Sequence, residues 1–356
     1  MVGALADLFS KYEPIPDEHT ELGTESGRPY PPPEAIDNTI KDAFKRMDDD
    51  IVNCAAERAL STPSKKTAIN LLAAAYAGSC ALLAFYESDT RLLRVAVTGD
   101  SRAVLGRRTI NEKGQDSYEV HVLSLDQNAH NPAEEARMNA LHPDEKIMEN
   151  GRVLGWGMSR AFGDAAYKWS LEIQNRLHSE YLGDRPRPNV KTPPYFTAEP
   201  EITTTEVQPG DFLVLASDGL WDCLTNEEVV GLVGLWLGKN ALVQQSIVGN
   251  LPAAADFDQI VERDELPVKL KGDNTVMYPW WRARKQFVNV DKNVASHLAR
   301  NALGGADRDL TTALLSMTPP RSRRFRYVLN LGVCLRLLMQ IHRDDISVNV
   351  VFFSEN

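Results

Sequence analysis

Five aspartates in this chain stand where short apolar runs give way to turns. Asp100 closes RVAVTGD, Asp218 closes FLVLASD with Asp222 four residues on, and Asp344 and Asp345 open DDISVNVVFF. Strand ends are rigid, so carboxylates placed there converge with little entropic cost. Hard divalent cations such as Mg²⁺ or Mn²⁺ take carboxylate, carbonyl and water oxygens. A pair of such ions orients a phosphoryl group and lowers the pKa of a bridging water, which makes a nucleophile near neutral pH without a nucleophilic side chain. Taken singly, each aspartate also suits a turn or a helix cap. What sets them apart is their surroundings.

The elements that must position them are strands and helices in mixed order. SCALLAFY and LLRVAVTGD are apolar runs separated by a turn-like SDTR, GDSRAVLGRR is turn then strand, and EVHVLSL alternates with period two. These are hairpin signals of an antiparallel sheet. Residues 36–60 carry Ile36, Ile40, Phe44, Met47, Ile51 and Val52 at the spacing of one helix face. STPSKKT reads as a linker, and NPAEEARMNALHP predicts a helix with Pro132 in its first turn. DFLVLASDGLWD is a buried strand ending in a tight turn, LTNEEVVGLVGLWL a helix, and ISVNVVFF a closing strand. No strand–helix–strand rhythm of a doubly wound parallel fold is present. Residues 1–34 read as an irregular N-terminal arm and residues 35–356 as a single domain, with an irregular insertion or flap at about 239–290.

Composition narrows the function. The chain has 356 residues, 43% apolar and 25% charged, enough apolar material for a real core. Net charge is −10 and the sequence pI about 5.3, which argues against a nucleic-acid partner; the basic cluster Arg321, Arg323, Arg324, Arg326 is short and local. Cys54, Cys80, Cys223 and Cys334 show no CxxC spacing, so neither a zinc site nor a disulfide scaffold is expected. No apolar run reaches the roughly 18 residues of a membrane span. The opening MVGALADLFSKYEPIPDEHTE lacks the features of a signal or transit peptide, which leaves the cytoplasm as one location.

Several segments, in order, resemble the PPM family of metal-dependent protein serine/threonine phosphatases. VTGDSRAVL is similar to its GDSRA hairpin, LSLDQNAHNPAEEARM to its Asp-His-Asn segment, GMSRAFGDAAYKW to its SRAFGD motif, FLVLASDGLWDCLTNEEVV to its SDGLWD strand and helix, and RDDISVNVVFF to its terminal strand, with Asp345 where Asn is usual. TPPYFTAEPEITTTEV resembles the corresponding segment of the mitochondrial pyruvate dehydrogenase phosphatases, and AGSCALL and NALGG resemble their fungal members. The resemblance implies an α+β fold of two packed antiparallel sheets flanked by helices, an α-β-β-α sandwich. It implies hydrolysis of phosphoserine or phosphothreonine by metal-activated water, with two or more Mg²⁺ or Mn²⁺ ions. It implies Asp218 and Asp344 as ligands of the catalytic metal, their carboxylates sharing one cation. Asp100 and Asp222, with Asp218, match a weaker third metal. Arg160, Asp164, Gly219 and Asp345 fall in motifs as structural support. A phosphoprotein substrate follows, with the pyruvate dehydrogenase E1 subunit and the mitochondrial matrix as the subfamily's expectation.

Two departures stand against this pattern. The family's Asp-Gly-His motif, whose Asp bridges both metals, occurs nowhere in the sequence, so the catalytic residues it supplies have no counterpart here. The helix at 36–60 resembles the segment that follows that motif, which predicts a chain lacking the family's N-terminal elements and of reduced activity. The alternative is a catalytically dead protein of the same fold with a binding or regulatory role. The second departure is YVLNLGVCLRLLMQIHR at 327–343, which intervenes before the terminal strand. It reads either as a helix that docks on a partner or as sequence foreign to the fold, such as a translated intron.

Overall fold

A computed structural model describes residues 1–12, 30–149, 151–249, 260–317 and 345–354. Asp344, the segment 327–343 and the basic cluster at 321–326 lie outside the described residues. The chain divides into two compact units where a single domain was expected. The first comprises Met1–Phe85, Arg94–Asp100 and Leu125–Thr203, the second Tyr86–Leu93, Ser101–Ser124 and Thr204–Asn356.

In the first unit, helix α1 (Val2–Ser10) occupies part of the expected irregular arm. Leu5, Leu8 and Phe9 fall on one face and pack with Ile36, Ile40 and Phe44 of α2 (Pro33–Asp49), a burial the Pro- and Glu-rich surroundings conceal in sequence. Pro33 opens α2 where its missing N–H costs nothing. The predicted helix over 36–60 is two helices joined by a π turn, Asp50–Cys54, ahead of α3 (Ala55–Ser61). A π turn adds a residue to the helical repeat. The apolar stripe accordingly leaves the Ile36–Phe44 cluster and enters a second one around Val52, Ala56, Ala59 and Trp169. The expected linker STPSKKT contains the cap of another helix, α4 (Lys65–Tyr76): the amide of Thr67 donates to Ser64 Oγ. Two more helices of the unit lie among the described residues. α5 (Pro132–Leu141) is capped by Asn131, and α6 (Leu171–Tyr181) by Ser170.

Strands β1 (Ala81–Glu87), β2 (Leu92–Thr98) and β5 (Glu201–Glu206) form a sheet of order β1-β2-β5. The second unit holds a four-stranded sheet built from β3 (Arg102–Ile110), β4 (Asp116–Val122), β6 (Phe212–Ala216) and β7 (Val348–Phe352). Its order is β7-β6-β3-β4, antiparallel at every step. Phe212 pairs with Gly106 on one side and Phe352 on the other. Gly106 is required there, because a Cβ would stand 2.3 Å from the Phe212 ring. Helix α7 is the single turn Asp218–Trp221, and α8 runs Asn226–Gly249. Val229, Val230 and Val233 of α8 pack on Val104, Phe212 and Val214 of the sheet. Mixed helices and antiparallel sheets match the expected fold class.

Among the described residues, the expected irregular insertion at about 239–290 carries regular elements and buried side chains; residues 250–259 lie outside them. Its start is the continuation of α8. Its later part carries α9 (Met277–Trp281), and Leu266, Met277, Tyr278 and Phe287 lie buried in the core. Proline and mixed charge disguise the segment because its apolar residues are scattered between short elements. Among the described residues, α10 (Val294–Ala302) and α11 (Arg308–Ser316) follow.

Candidate metal centre

In the second unit the site begins at the end of β6. Four buried residues of five make this strand a rigid support, and the chain turns at once after it. Ser217 is extended, the amide of Leu220 donates to its carbonyl at 3.1 Å, and the indole of Trp221 donates to the carbonyl of Ala216 at 3.0 Å. Leu220 and Trp221 are buried, which leaves Asp218 half-buried and Asp222 exposed. The amide of Asp222 donates to the carbonyl of Asp218 at 2.8 Å, so the two carboxylates stand one helical turn apart. Gly219 is buried between them. The carbonyl of Asp222 in turn accepts from the amides of Val276 and Met277 at 3.0 and 3.1 Å.

Ser217 also fastens the last strand. Its hydroxyl donates to the carbonyl of Asp345 at 2.6 Å and accepts from the amide of Ser347 at 3.0 Å, while its own amide donates to the carbonyl of Ser347 at 3.1 Å. Asp345 is exposed. The expected approach of Asp218 and Asp344 lies outside the described residues, since Asp344 does.

Beneath this edge lies a buried ion cluster that sequence reasoning missed. Glu228 is fully buried; Lys285 meets it at 2.9 Å and Arg263 at 2.5 Å. Lys285 also reaches Asp273 at 2.9 Å and Thr275 Oγ1 at 2.8 Å. Glu228 and Thr225 form the reciprocal cap of α8. Only that cap, in TNEE, was visible as a signal.

In the first unit, Asp100 follows Gly99, whose φ of +105° suits glycine. A Cβ at Gly99 would lie 2.3 Å from Cys80 Sγ, and the Cys80 thiol donates to Asp100 Oδ1 at 3.1 Å. Gln127, fully buried, accepts from the Gly99 amide at 2.7 Å and donates to the Val97 carbonyl at 3.2 Å. Neither Cys80 nor Gln127 carries a spacing signal, because both contacts are long-range.

Arg160 sits in a buried ion network around Glu134. It meets Glu134 at 2.5 Å and donates to the carbonyl of Glu199 at 2.8 Å. Arg137 meets Glu134 at 2.8 Å, and the Ser159 hydroxyl donates to it as well. Burial alone would raise the Glu134 pKa; hydrogen bonds from Arg160, Arg137 and Ser159 overcome it and hold the carboxyl at about 2. Asp164 takes the left-handed conformation, φ 46°, and its carboxyl is pushed up by burial against the pull of Lys168 and Arg187.

Oxygen donors at Asp218 and Asp222 fit a hard divalent cation. Among the described residues no group of three or more His, Cys, Asp or Glu side chains forms a metal site. No helix among them is long and apolar enough to cross a membrane.

These features agree with comparison to known proteins: the chain belongs to the protein phosphatase 2C family, which matches residues 20–252. That is the PPM-type, metal-dependent family of the resemblance. A protein phosphatase 2C homolog of Schizosaccharomyces pombe is 40% identical over 90% of this chain and 63% of its own. The mitochondrial pyruvate dehydrogenase phosphatase 1 of Saccharomyces cerevisiae is 36% identical over 91% of this chain and 54% of its own. The chain thus spans between about half and two thirds of the length of these relatives. Among solved structures, a serine-threonine phosphatase 2C from Toxoplasma gondii matches at 20% identity over 61% of this chain and 62% of that one, with a TM-score of 0.37, a likeness that adds nothing to the sequence match.

Proposed function

We propose that the chain acts as a metal-dependent protein phosphatase on phosphoserine and phosphothreonine, with the pyruvate dehydrogenase E1 subunit as substrate and the mitochondrial matrix as location. The observation that carries the reading is the clamp at Ser217. It holds Asp345 against the residue before Asp218. Asp344, the second ligand that the resemblance implies, precedes Asp345 in the sequence and lies outside the described residues. Bound Mg²⁺ or Mn²⁺ supplies a water of lowered pKa and positive charge for the phosphoryl oxygens. The half-buried Asp218 would be the stronger donor to such an ion, and the exposed Asp222, one turn on, would be a donor to a more weakly held one. The names of the relatives, together with TPPYFTAEPEITTTEV, support the pyruvate dehydrogenase complex as substrate.

A second reading, a phosphoprotein-binding or regulatory protein of the same fold, is favoured by the lack of any Asp-Gly-His in the 356 residues. The test is a Mn²⁺-supplemented assay on a phosphothreonine peptide. The chain is compared with a version carrying the family's Asp-Gly-His segment fused ahead of Met1. Loss of one strong stabilising group typically costs about 10² to 10³ in rate, so the fused version should be faster by at least about 100-fold. Equal turnover would show that the chemistry rests on other residues. No turnover by either would leave the binding reading.

A further inference from the structure

Residues 266–288 differ in charge from the rest of the protein. They carry five basic side chains, Lys269, Lys271, Arg282, Arg284 and Lys285, and one acidic, Asp273, in a chain of net charge −10. The segment is fixed in place, because Leu266, Met277, Tyr278 and Phe287 belong to the second unit's core. Lys285 is consumed inside, by Glu228 and Asp273. The other four cations are exposed. Lys271 reaches the buried Glu227 at 3.4 Å from its own exposed position, and Arg284 reaches Glu262 at 3.1 Å, a surface pair of little energy. Lys269 and Arg282 have no carboxylate partner among the described residues.

Apolar surface stands among these charges. Val276 is 46% and Trp280 40% exposed, in a region whose other large apolar side chains are buried or half-buried. The turn that presents them is tied to the metal edge, since the amides of Val276 and Met277 both donate to the carbonyl of Asp222. Tryptophan and arginine are the residues most often found as energetic anchors of protein interfaces. A guanidinium grips a carboxylate through two parallel hydrogen bonds. A positive surface on an otherwise negative protein also steers an acidic partner in and turns basic ones away.

We propose that Val276, Trp280, Lys269 and Arg282 form a docking surface for an acidic segment of the phosphoprotein substrate, flanking the phosphorylated residue. This rests on the phosphatase reading and places substrate selection on the segment that follows α8. The partner's aliphatic or backbone atoms cover Trp280 and Val276, and its carboxylates meet Arg282 and Lys269.

The test uses the 356-residue chain and fluorescence anisotropy of two labelled phosphothreonine peptides, one followed by glutamates and one by alanines. The glutamate peptide should bind about tenfold tighter, with the preference fading as salt is raised. The double variant Lys269→Glu with Arg282→Glu should remove that preference, and Trp280→Ala should weaken binding of the glutamate peptide about tenfold. Both change exposed side chains, and circular dichroism confirms that they fold. Equal binding of the two peptides by the wild type, or a preference that survives in the double variant, would overturn the proposal. So would co-sedimentation with cardiolipin vesicles in the absence of any peptide preference, since that would make the surface a membrane contact. Hydrolysis of p-nitrophenyl phosphate by the version bearing Asp-Gly-His separates the two readings. If docking is right, the double variant keeps the wild-type rate on this small substrate. A protein that prefers the glutamate peptide but hydrolyses neither substrate counts against the phosphatase reading alone.

Discussion

The hydroxyl of Ser217 bonds the carbonyl of Asp345 at 2.6 Å while receiving the amide of Ser347 at 3.0 Å. One short side chain thus ties the start of the last strand to the residue before Asp218. Ser217→Ala should cost about 1 kcal/mol in a urea melt, the usual net worth of such bonds. It should also weaken Mn²⁺ binding about tenfold in isothermal titration, because the two chain segments lose their common fastening. Unchanged Mn²⁺ affinity would show that the strand is positioned by other means.

Asp218→Asn keeps shape and removes charge at the end of β6. Loss of an outer partner of a metal ligand typically costs 10- to 100-fold in affinity, so loss of a ligand itself should cost at least about 100-fold for Mn²⁺. The thermal midpoint in the absence of metal should stay close to wild type, since the side chain is half-buried and the turn is held by Trp221 and Leu220. Retained Mn²⁺ binding would remove Asp218 from the metal assignment.

Stability should fall with acid in two successive windows. His297 is fully buried, with Nε2 3.1 Å from the carbonyl of Leu232. Burial lowers its pKa from 6.5 to about 4, against the opposing pull of Asp291. The unfolded chain therefore takes up the proton first, and the stability present above pH 6.5 is lost as pH falls toward 4. Glu134, held at about 2 against an ordinary 4.5, adds a second loss from pH 4.5 toward 2. Each full unit within a window costs about 1.4 kcal/mol per group. Urea melts across the pH range check this, with His297→Gln expected to flatten the upper window and Glu134→Gln the lower. A wild-type protein equally stable at pH 6.5 and 4 would contradict the buried neutral histidine.

Lys285→Met removes one cation from the fully buried Glu228 and leaves Arg263 as its remaining ionic partner. Breaking a buried pair by deleting one partner typically costs about 3 to 5 kcal/mol. The expected result is a loss toward the lower end of that range, because Arg263 stays. A change below about 1 kcal/mol in a urea melt would show the cluster to be solvated in practice.

Local pattern made much of this protein legible. The apolar runs around β2, β3, β6 and β7 state their own type, and Pro132 and Asn131 announce α5, since caps and periodicity act within a few residues. Asp100 and Asp218 are visible because they follow strands and Asp222 because it stands four residues on, and ordered motifs place them in a family that the comparisons bear out. Tertiary structure decided what depends on residues far apart in the chain. Leu5 turns a supposed arm into a packed helix only when Ile36 and Ile40 are there to cover it. Phe287 and Tyr278 turn a supposed flap into core by meeting α8 and α10. Cys80 under Gly99, Ser217 beside Asp345 and Lys285 against Glu228 are contacts across 19, 128 and 57 positions, as their numbers show. No periodicity encodes such pairs. Hydrogen bonds and buried charges find their partners only after the chain has folded, and the energy that fixes them, desolvation against pairing, exists only in that arrangement.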